Sequence, residues 1–420
     1  MTTAFAARPK ISTLSRREIL EKYPEIPKFI VLKIDMQLRS IVYTDRALAT
    51  VDPKKHQTQV NSWTIDRTKF GDVVFPVSLL LRDGSIVMAG PHPKANNPYV
   101  VDYRDGRTVL LDEGEEIEEV EFWPSHDFFD KYTSSGKPMW EVVGFCRPQR
   151  LDVNPNYYCH FWDHGQGCRF CNIGSTYKNI TKQTHRETRL SLQDLDEVIR
   201  EALKQPGRYT NICLTGGSIP GLKNAFEEEV RMYIDVLQTI GSHFSTRRFP
   251  SQLISSAFNE EQLGRIYENT GLLSFTADTE VLNEEKFNWI CPGKATSVGY
   301  REWRRRLIAA VDIFGRGCVN TGFVTGVELA APKGFATEED GLAATLDGAE
   351  ELASQGVFAV AVTWQPCEGS VFHNQKPASL EYHIRLAKEL DAIRRKYGLY
   401  PDMDDYRRCG NHADTDLGRI

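Results

Sequence analysis

Between Phe75 and Trp123 the apolar residues fall into short runs separated by turns, whereas beyond Asp152 each short apolar run is followed by a longer stretch with helical spacing. In the first stretch F-P-V-S-L-L-L, S-I-V-M-A, Y-V-V-D-Y, T-V-L-L-D and E-V-E-F-W read as strands. The Asp-Gly pairs within Arg82–Ser85 and Arg104–Arg107 predict tight hairpins, because that dipeptide tolerates the positive φ such turns need. Together they predict a small antiparallel meander serving as an accessory region or lid. Upstream, Ser15–Tyr23 reads as a short helix capped by Ser15, followed by a mixed segment over Phe29–Val51.

After Asp152 the alternation can be followed six times. Val153–Tyr158 leads into a cysteine-rich loop and the helix Ser191–Gln205, with Ser191 and Asp194 close to a capping box. Asn211–Thr215 precedes Ala225–Ile240, and Gln252–Ala257 precedes a helix capped at Asn259. Leu272–Ala277 precedes a helical stretch whose main body is Ser297–Phe314, Val319–Val324 precedes Thr337–Ser354, and Val357–Trp364 precedes Ser379–Tyr397. Repeated strand–helix units imply parallel strands joined by right-handed crossovers. The fold class expected is therefore α/β, a partial, open (β/α)6 TIM-type barrel with an N-terminal β-rich accessory region. Residues 1–150 form that region, 151–398 the barrel and 399–420 a polar tail. In such barrels chemistry gathers at the C-terminal ends of the strands.

The first of those ends carries C-H-F-W-D-H-G-Q-G-C-R-F-C, with Cys159, Cys168 and Cys171 spaced C-x8-C-x2-C. Thiolates are soft ligands suited to zinc or to iron–sulfur clusters. Three thiolates on a [4Fe–4S] cluster leave one iron free to bind a small molecule, whereas a structural zinc would need a fourth ligand such as His160 or His164. No second C-x2-C pair is present. A formal net charge of −6 gives no basic footprint for nucleic acid. The apolar runs fall short of the roughly 20 residues a membrane helix needs. The N-terminus M-T-T-A-F-A-A-R-P-K lacks the apolar core of a secretory signal, and nine cysteines, an odd number, fit a reducing compartment, so a cytoplasmic location is expected.

The loop resembles that of the radical S-adenosylmethionine (radical SAM) superfamily, with an aromatic, Phe170, just before the last cysteine. It departs from the family's usual C-x3-C-x2-C in the length of its first arc. Such an arc can loop outward while its ends stay close, at modest entropic cost. A second region strengthens the resemblance: I-C-P-G-K at Ile290–Lys294, Y-R-E-W-R-R-R-L from Tyr300 and G-F-V-T-G-V-E at Gly322–Glu328 look like segments of the branch that holds biotin synthase and the menaquinone-pathway synthases. The resemblance covers roughly residues 150–400, most specifically the cysteine loop and Phe275–Glu328.

What the resemblance implies is a [4Fe–4S] cluster held by Cys159, Cys168 and Cys171, whose free iron chelates SAM. Reductive cleavage of SAM then gives a 5′-deoxyadenosyl radical that attacks a small metabolite or cofactor precursor. Thr215, Gly216, Gly217 and Ser218 stand where the family's G-G-E segment meets the methionine moiety, with Ser218 in place of the acid. Glu280 and, less directly, Asp278 are placed to meet SAM, and Arg301 to meet a carboxylate, although an arginine on this helix can equally be solvated. Glu328 would face the adenosyl group or substrate. The sixth strand end offers Trp364, Gln365 and Cys367. Cys409 in the tail is either an idle surface thiol or, with Cys367, a group for methyl or sulfur transfer or for a second iron–sulfur cluster. Cys146 is either buried or an additional ligand, and Cys213, Cys291 and Cys318 read as packing. An electron donor such as flavodoxin or ferredoxin is implied, while nucleic acid and membrane are not; oligomeric state is left open. The reading from another class is a zinc-stabilised, metabolite-binding barrel.

Overall fold

The computed structural model describes residues 13–59, 75–76, 78–88, 97–144, 147–177, 189–221, 225–400 and 410–419. The N-terminal part opens with helix α1 (Arg16–Lys22), whose Ser15–Glu18 capping box satisfies its first amides, and continues into α2 (Lys28–Arg39). Its sheet is six-stranded, built from β1 (Ile41–Tyr43), β4 (Leu79–Leu81), β5 (Ile86–Val87), β6 (Tyr99–Arg104), β7 (Arg107–Asp112) and β8 (Glu115–Phe122) in the order β1-β6-β7-β8-β4-β5. The hairpin turns fall where Asp-Gly predicts them, with Asp105 and Gly106 both at positive φ. The expected meander needs correction in its connectivity. β4-β5 and β6-β7-β8 run consecutively and antiparallel, but β1 joins β6 in parallel and β4 returns to pair with β8. Two further short strands, β2 (Thr58–Gln59) and β3 (Phe75–Pro76), pair separately.

The second sheet is wholly parallel and sequential: β9 (Arg150–Val153), β10 (Asn211–Thr215), β11 (Ser251–Ile254), β12 (Ser274–Thr276), β13 (Val319–Thr325) and β14 (Phe358–Thr363). Among the described residues β9 and β14 are its ends and do not pair with each other, so the sheet is an open half-barrel. Strand alternation sorts its two faces. Leu151, Ile212, Leu214, Leu253, Phe275 and Phe323 pack outward onto the helices as one apolar core. The alternate positions Asp152, Asn211, Gln252, Ser274, Thr276 and Asn320 are buried and polar. A concave face lined this way suits a polar ligand rather than a hydrocarbon core.

The crossovers are α3 (Leu192–Ala202), α4 (Glu227–Gly241), α5 (Glu260–Asn269), α6 (Glu284–Ile290), α7 (Pro292–Ser297), α8 (Tyr300–Phe314) and α9 (Glu338–Ser354), followed by α10 (Leu380–Tyr397). Side-chain caps begin most of them: Ser191 accepts from Asp194 N, Asn259 forms a capping box with Gln262, Thr337 accepts from Asp340 N and Ser379 from Tyr382 N. Residues 410–419 are no loose polar tail. Within them Ala413–Arg419 forms a 3-10 turn in which Asp414 and Asp416 are buried, paired with Arg394 and Lys33 respectively. No helix of the described residues is long and apolar enough to cross a membrane.

Candidate functional site

The first barrel strand ends at Val153, five residues earlier than expected, and the chain then rises over the strand ends towards Cys159. Asn156 anchors the rise, its Nδ2 donating to the carbonyls of Tyr158 (2.6 Å) and Gly217 (3.1 Å). Gly217 N donates back to Asn156 O, and His160 N to Ser218 O. A Cβ on Gly217 would lie 2.3 Å from Tyr158 O and 2.4 Å from Cys159 N, and one on Gly216 2.8 Å from Asn156 O. The paired glycines are thus required by the backbone that delivers Cys159.

Cys159 caps a short 3-10 turn (His160–His164) that ends at Gly165 in the left-handed region. The long arc to Cys168 closes around its own tryptophan, since a Cβ on Gly167 or on Gly174 would come within 2.5 Å of the Trp162 indole. The arc is clamped from two sides. Gln166 O accepts from Gly293 N (3.0 Å) and Arg169 N donates to Ile290 O (2.9 Å), fixing it to the α6–α7 turn. Phe372 N donates to Arg169 O, Asn172 Nδ2 to Glu368 O, and Cys367 Sγ to Phe170 O at 3.5 Å, fixing it to the loop after β14.

Each of the three thiols lies within electrostatic range of the other two. Burial pushes Cys159 up to about 11, with Cys168 adding to it, and pushes Cys171 well above the ordinary thiol range. Ile173 N already donates to Cys171 Sγ at 3.4 Å. Convergent thiols, two of which resist ionisation, are a donor set that a metal centre would stabilise by displacing their protons. Among the described residues no three His, Cys, Asp or Glu side chains close tightly round a single ion, as tetrahedral zinc would need. Thiolates bound to three different irons of a cubane stand farther apart than the ligands of one ion, so a cluster does not need the close convergence that a single ion would. His160, the alternative zinc ligand, has its Nδ1 engaged with Asp163 at 2.9 Å.

Beside the thiols lies a cation whose role the sequence does not disclose. Lys294, 8% exposed, donates to Glu280 Oε1 (2.7 Å) and Asp278 O (2.6 Å), and its ammonium sits 4.7 Å from the Trp303 ring centre. Burial works against its charge, but Glu280, then Cys168, Asp278 and Cys291, outweigh that and hold its pKa above the ordinary lysine value. Glu280 has φ +66 and bridges to Phe323 of β13, so its carboxylate is held at the strand ends. Asp278 is committed elsewhere, accepting from Gly322 N at 2.8 Å. Arg301 is 85% exposed at its side chain and pairs with Glu284 on the outer surface. The cation beside Glu280 is therefore Lys294.

Ser256 Oγ lies 3.0 Å from both Ser218 Oγ and Glu229 Oε2; with one proton to give, it donates to the carboxylate and pairs with the Ser218 hydroxyl as the acceptor. Glu229 is fully buried beneath the ends of β10 and β11, where it also accepts from Ile219 N and Ser256 N. Burial pushes its carboxyl up to about 7 against those donors. Its spacing with Tyr233, Val236 and Ile240 places it on the apolar stripe of α4, which was the available signal. Thr215 is half-buried and its carbonyl accepts from Asn154 Nδ2.

Glu328 is buried and faces α10. Tyr382 Oη donates to its Oε1 and Gly326 N to its Oε2, while burial pushes its carboxyl up to about 7. These contacts tie the β13 end to α10. Gln365 Nε2 donates to the carbonyls of Gln37 and Leu38, so it points to α2. Trp364 and Phe170 join an apolar group with Phe372, Val324 and Trp289 next to the cysteine loop. Cys146 and Cys409 lie outside the described residues.

No family model matches the chain. In sequence it is similar to the bacteriochlorophyllide c C-7(1)-hydroxylase of Chlorobaculum limnaeum, 24% identical over 302 residues, which cover 68% of this chain and 69% of the relative. Among solved structures it is similar to HydG, a maturase of the [FeFe]-hydrogenase, with a TM-score of 0.41 and 16% identity over 61% of this chain and 52% of that one. It is also similar to a radical SAM methyltransferase from Sphaerobacter thermophilus, with a TM-score of 0.40 and 15% identity over 96% of this chain and 99% of that one. The chain thus spans about half the length of HydG.

Proposed function

We propose that the chain is a radical SAM enzyme acting on a small metabolite or cofactor precursor. The observation that carries this is the trio Cys159, Cys168 and Cys171, three thiols within range of one another on a clamped loop above the first strand of an open parallel half-barrel. They would hold a [4Fe–4S] cluster. Bound there, cluster and SAM would supply reductive cleavage of the sulfonium to a 5′-deoxyadenosyl radical. The aromatic group of Phe170, Trp289, Trp364 and Phe372 lines one side of the loop with apolar surface. Lys294 offsets the negative charge that three thiolates would bring, and its bond to Glu280 holds that carboxylate at the strand ends, where SAM's ammonium or ribose hydroxyls would meet it. The polar concave face below favours a polar substrate. The hydroxylase relative, whose name gives a bacteriochlorophyllide, supports the small-molecule class. A one-electron donor of the flavodoxin or ferredoxin kind is required.

A second reading, methyl or sulfur transfer, is favoured by Cys367, whose sulfur lies 3.5 Å from Phe170 O beside the trio. Anaerobic reconstitution with iron and sulfide, followed by dithionite and SAM, tests the first. The expected result is a brown protein with about four iron per chain that releases 5′-deoxyadenosine. Replacing the three cysteines with alanine should abolish both colour and nucleoside. A triple variant that keeps its metal, or a colourless parent holding one zinc, would overturn the proposal. Cys367→Ala that still cleaves SAM but no longer turns over substrate would select the second reading.

A further inference from the structure

Val319 and Phe323 of β13 pack outward into the apolar core, so strand alternation turns Asn320 onto the concave face, level with Thr276 of β12. The Asn320 side chain is 1% exposed, and among the described residues neither its Oδ1 nor its Nδ2 has a hydrogen-bond partner. Ser274 Oγ, two residues before Thr276 on the same face, is likewise buried without one. The neighbouring amide differs: Gln252 Nε2 of β11 donates to Thr276 Oγ1 at 2.9 Å. Burial denies Asn320 water as well, so its amide loses hydration without a bond in return, a loss that an apolar residue of the same shape would avoid. A residue that costs stability where the chemistry of a barrel collects calls for a ligand to explain it. Towards the strand ends the same face opens, with Thr215, Ile254, Gly322 and Val324 all half-buried.

The chemistry of the amide selects its partner. A carboxamide presents a donor and an acceptor side by side, and a group that satisfies both at once must present an acceptor and a donor in the reverse order. A carboxylate only accepts and an ammonium only donates, so either would leave one Asn320 atom unpaired. We propose that Asn320 is the specificity-determining residue of a binding site on the concave face of β11, β12 and β13, and that the substrate pairs with it through a cis-amide edge, that of a carboxamide or a lactam. Ser274 adds a hydroxyl to the same face. The inference deepens the small-molecule reading above and rests on it for the link to radical chemistry, whereas binding of the amide needs no cluster.

The probes are δ-valerolactam and its N-methyl derivative, which lacks the donor, added to the anaerobically reconstituted parent, Asn320→Leu and Asn320→Ala and followed by ligand-observed nuclear magnetic resonance. The parent is expected to bind the lactam, and the N-methyl derivative at least about tenfold more weakly. Asn320→Leu should keep the parent's iron content, unfold at a urea midpoint at or above the parent's because an unpaired amide is gone, and lose at least about tenfold in lactam affinity. Asn320→Ala only removes atoms, so it reports the same loss of binding should leucine not fit. Undiminished lactam binding in either variant, or equal binding of the two probes to the parent, overturns the inference. A parent that releases 5′-deoxyadenosine but ignores the lactam refutes this inference alone. One that binds the lactam through Asn320 but neither holds iron nor cleaves SAM refutes the radical SAM reading and not the site.

Discussion

Glu229 and Glu328 show how single residues at the strand ends take on a charge state the sequence does not announce. Both carboxyls are buried and both are pushed up to about 7, although backbone or hydroxyl donors favour their ionised forms. A carboxyl that ionises near 7 when folded and near 4.5 when unfolded stabilises the fold most below the unfolded value, and that contribution is lost as pH rises through 7. Buried His383, held down to about 4, has the opposite trend, since the folded state refuses a proton that the unfolded chain accepts. A pH scan of the parent chain therefore mixes the two, and the comparison must be with Glu328→Gln, which lacks the titration. Between pH 5 and pH 8 the unfolding midpoint of the parent is expected to fall relative to that variant; parallel curves would place the ionised form in the folded state throughout. Gly217 makes a different residue-scale point. It sits at a strand end, where a glycine invites a ligand explanation, but the atoms that exclude its Cβ belong to Tyr158 and Cys159.

Helix α9 illustrates how packing overrides intrinsic propensity within an element. A Cβ on Gly348 would lie 2.5 Å from Leu282 O, a backbone atom, and one on Gly341 would lie 2.7 Å from Leu329 Cδ2. Alanine gains about 1 kcal/mol of helix propensity over glycine, but overpacking a closed contact costs about 1–3 kcal/mol, so Gly348→Ala is expected to destabilise on balance. A Cβ on Gly264 in α5 would meet no atom within 4 Å, so Gly264→Ala should stabilise by about 0.5–1 kcal/mol. Urea denaturation of the two variants should give opposite signs. The same competition explains which elements the sequence disclosed. Asn211–Thr215 and the caps at Ser191 and Asn259 depend on local pattern and are found where expected. The first barrel strand is displaced to Arg150–Val153 because Arg150 and Asp152 belong to a polar concave face and resemble loop residues, while Tyr157 and Tyr158 resemble strand. The cysteine trio lies within one loop and is legible from spacing. Lys294 and Glu229 acquire their meaning from partners such as Glu280 and Ser256, which only the fold brings near.

At the scale of the whole molecule, the open edge of the half-barrel at β14 is closed by the two ends of the described chain. Arg394 Nη2 donates to Ala359 O (2.7 Å), His412 Nδ1 meets Ala361 O (2.9 Å), and Ala361 N donates to Asp414, so side chains of α10 and the C-terminal turn stand in for a neighbouring strand. From the N-terminal side, Gln37 of α2 reaches Thr363 and the carbonyls of Gly410 and Asn411. The rivet between the two ends is Lys33–Asp416, 2.7 Å apart with both side chains fully buried. A buried pair is expensive to break from one side, because the surviving charge keeps its desolvation cost without its partner, whereas removing both charges is often neutral. Lys33→Met alone should therefore cost about 3–5 kcal/mol, and adding Asp416→Leu should restore most of it. The check is a double-mutant cycle by denaturant unfolding. If Lys33→Met were as stable as the parent, the edge would be held by the Arg394 and His412 contacts alone. Recovery in the double variant would instead show that the ends of the chain close the half-barrel through a pair whose contribution lies chiefly in the penalty for separating it.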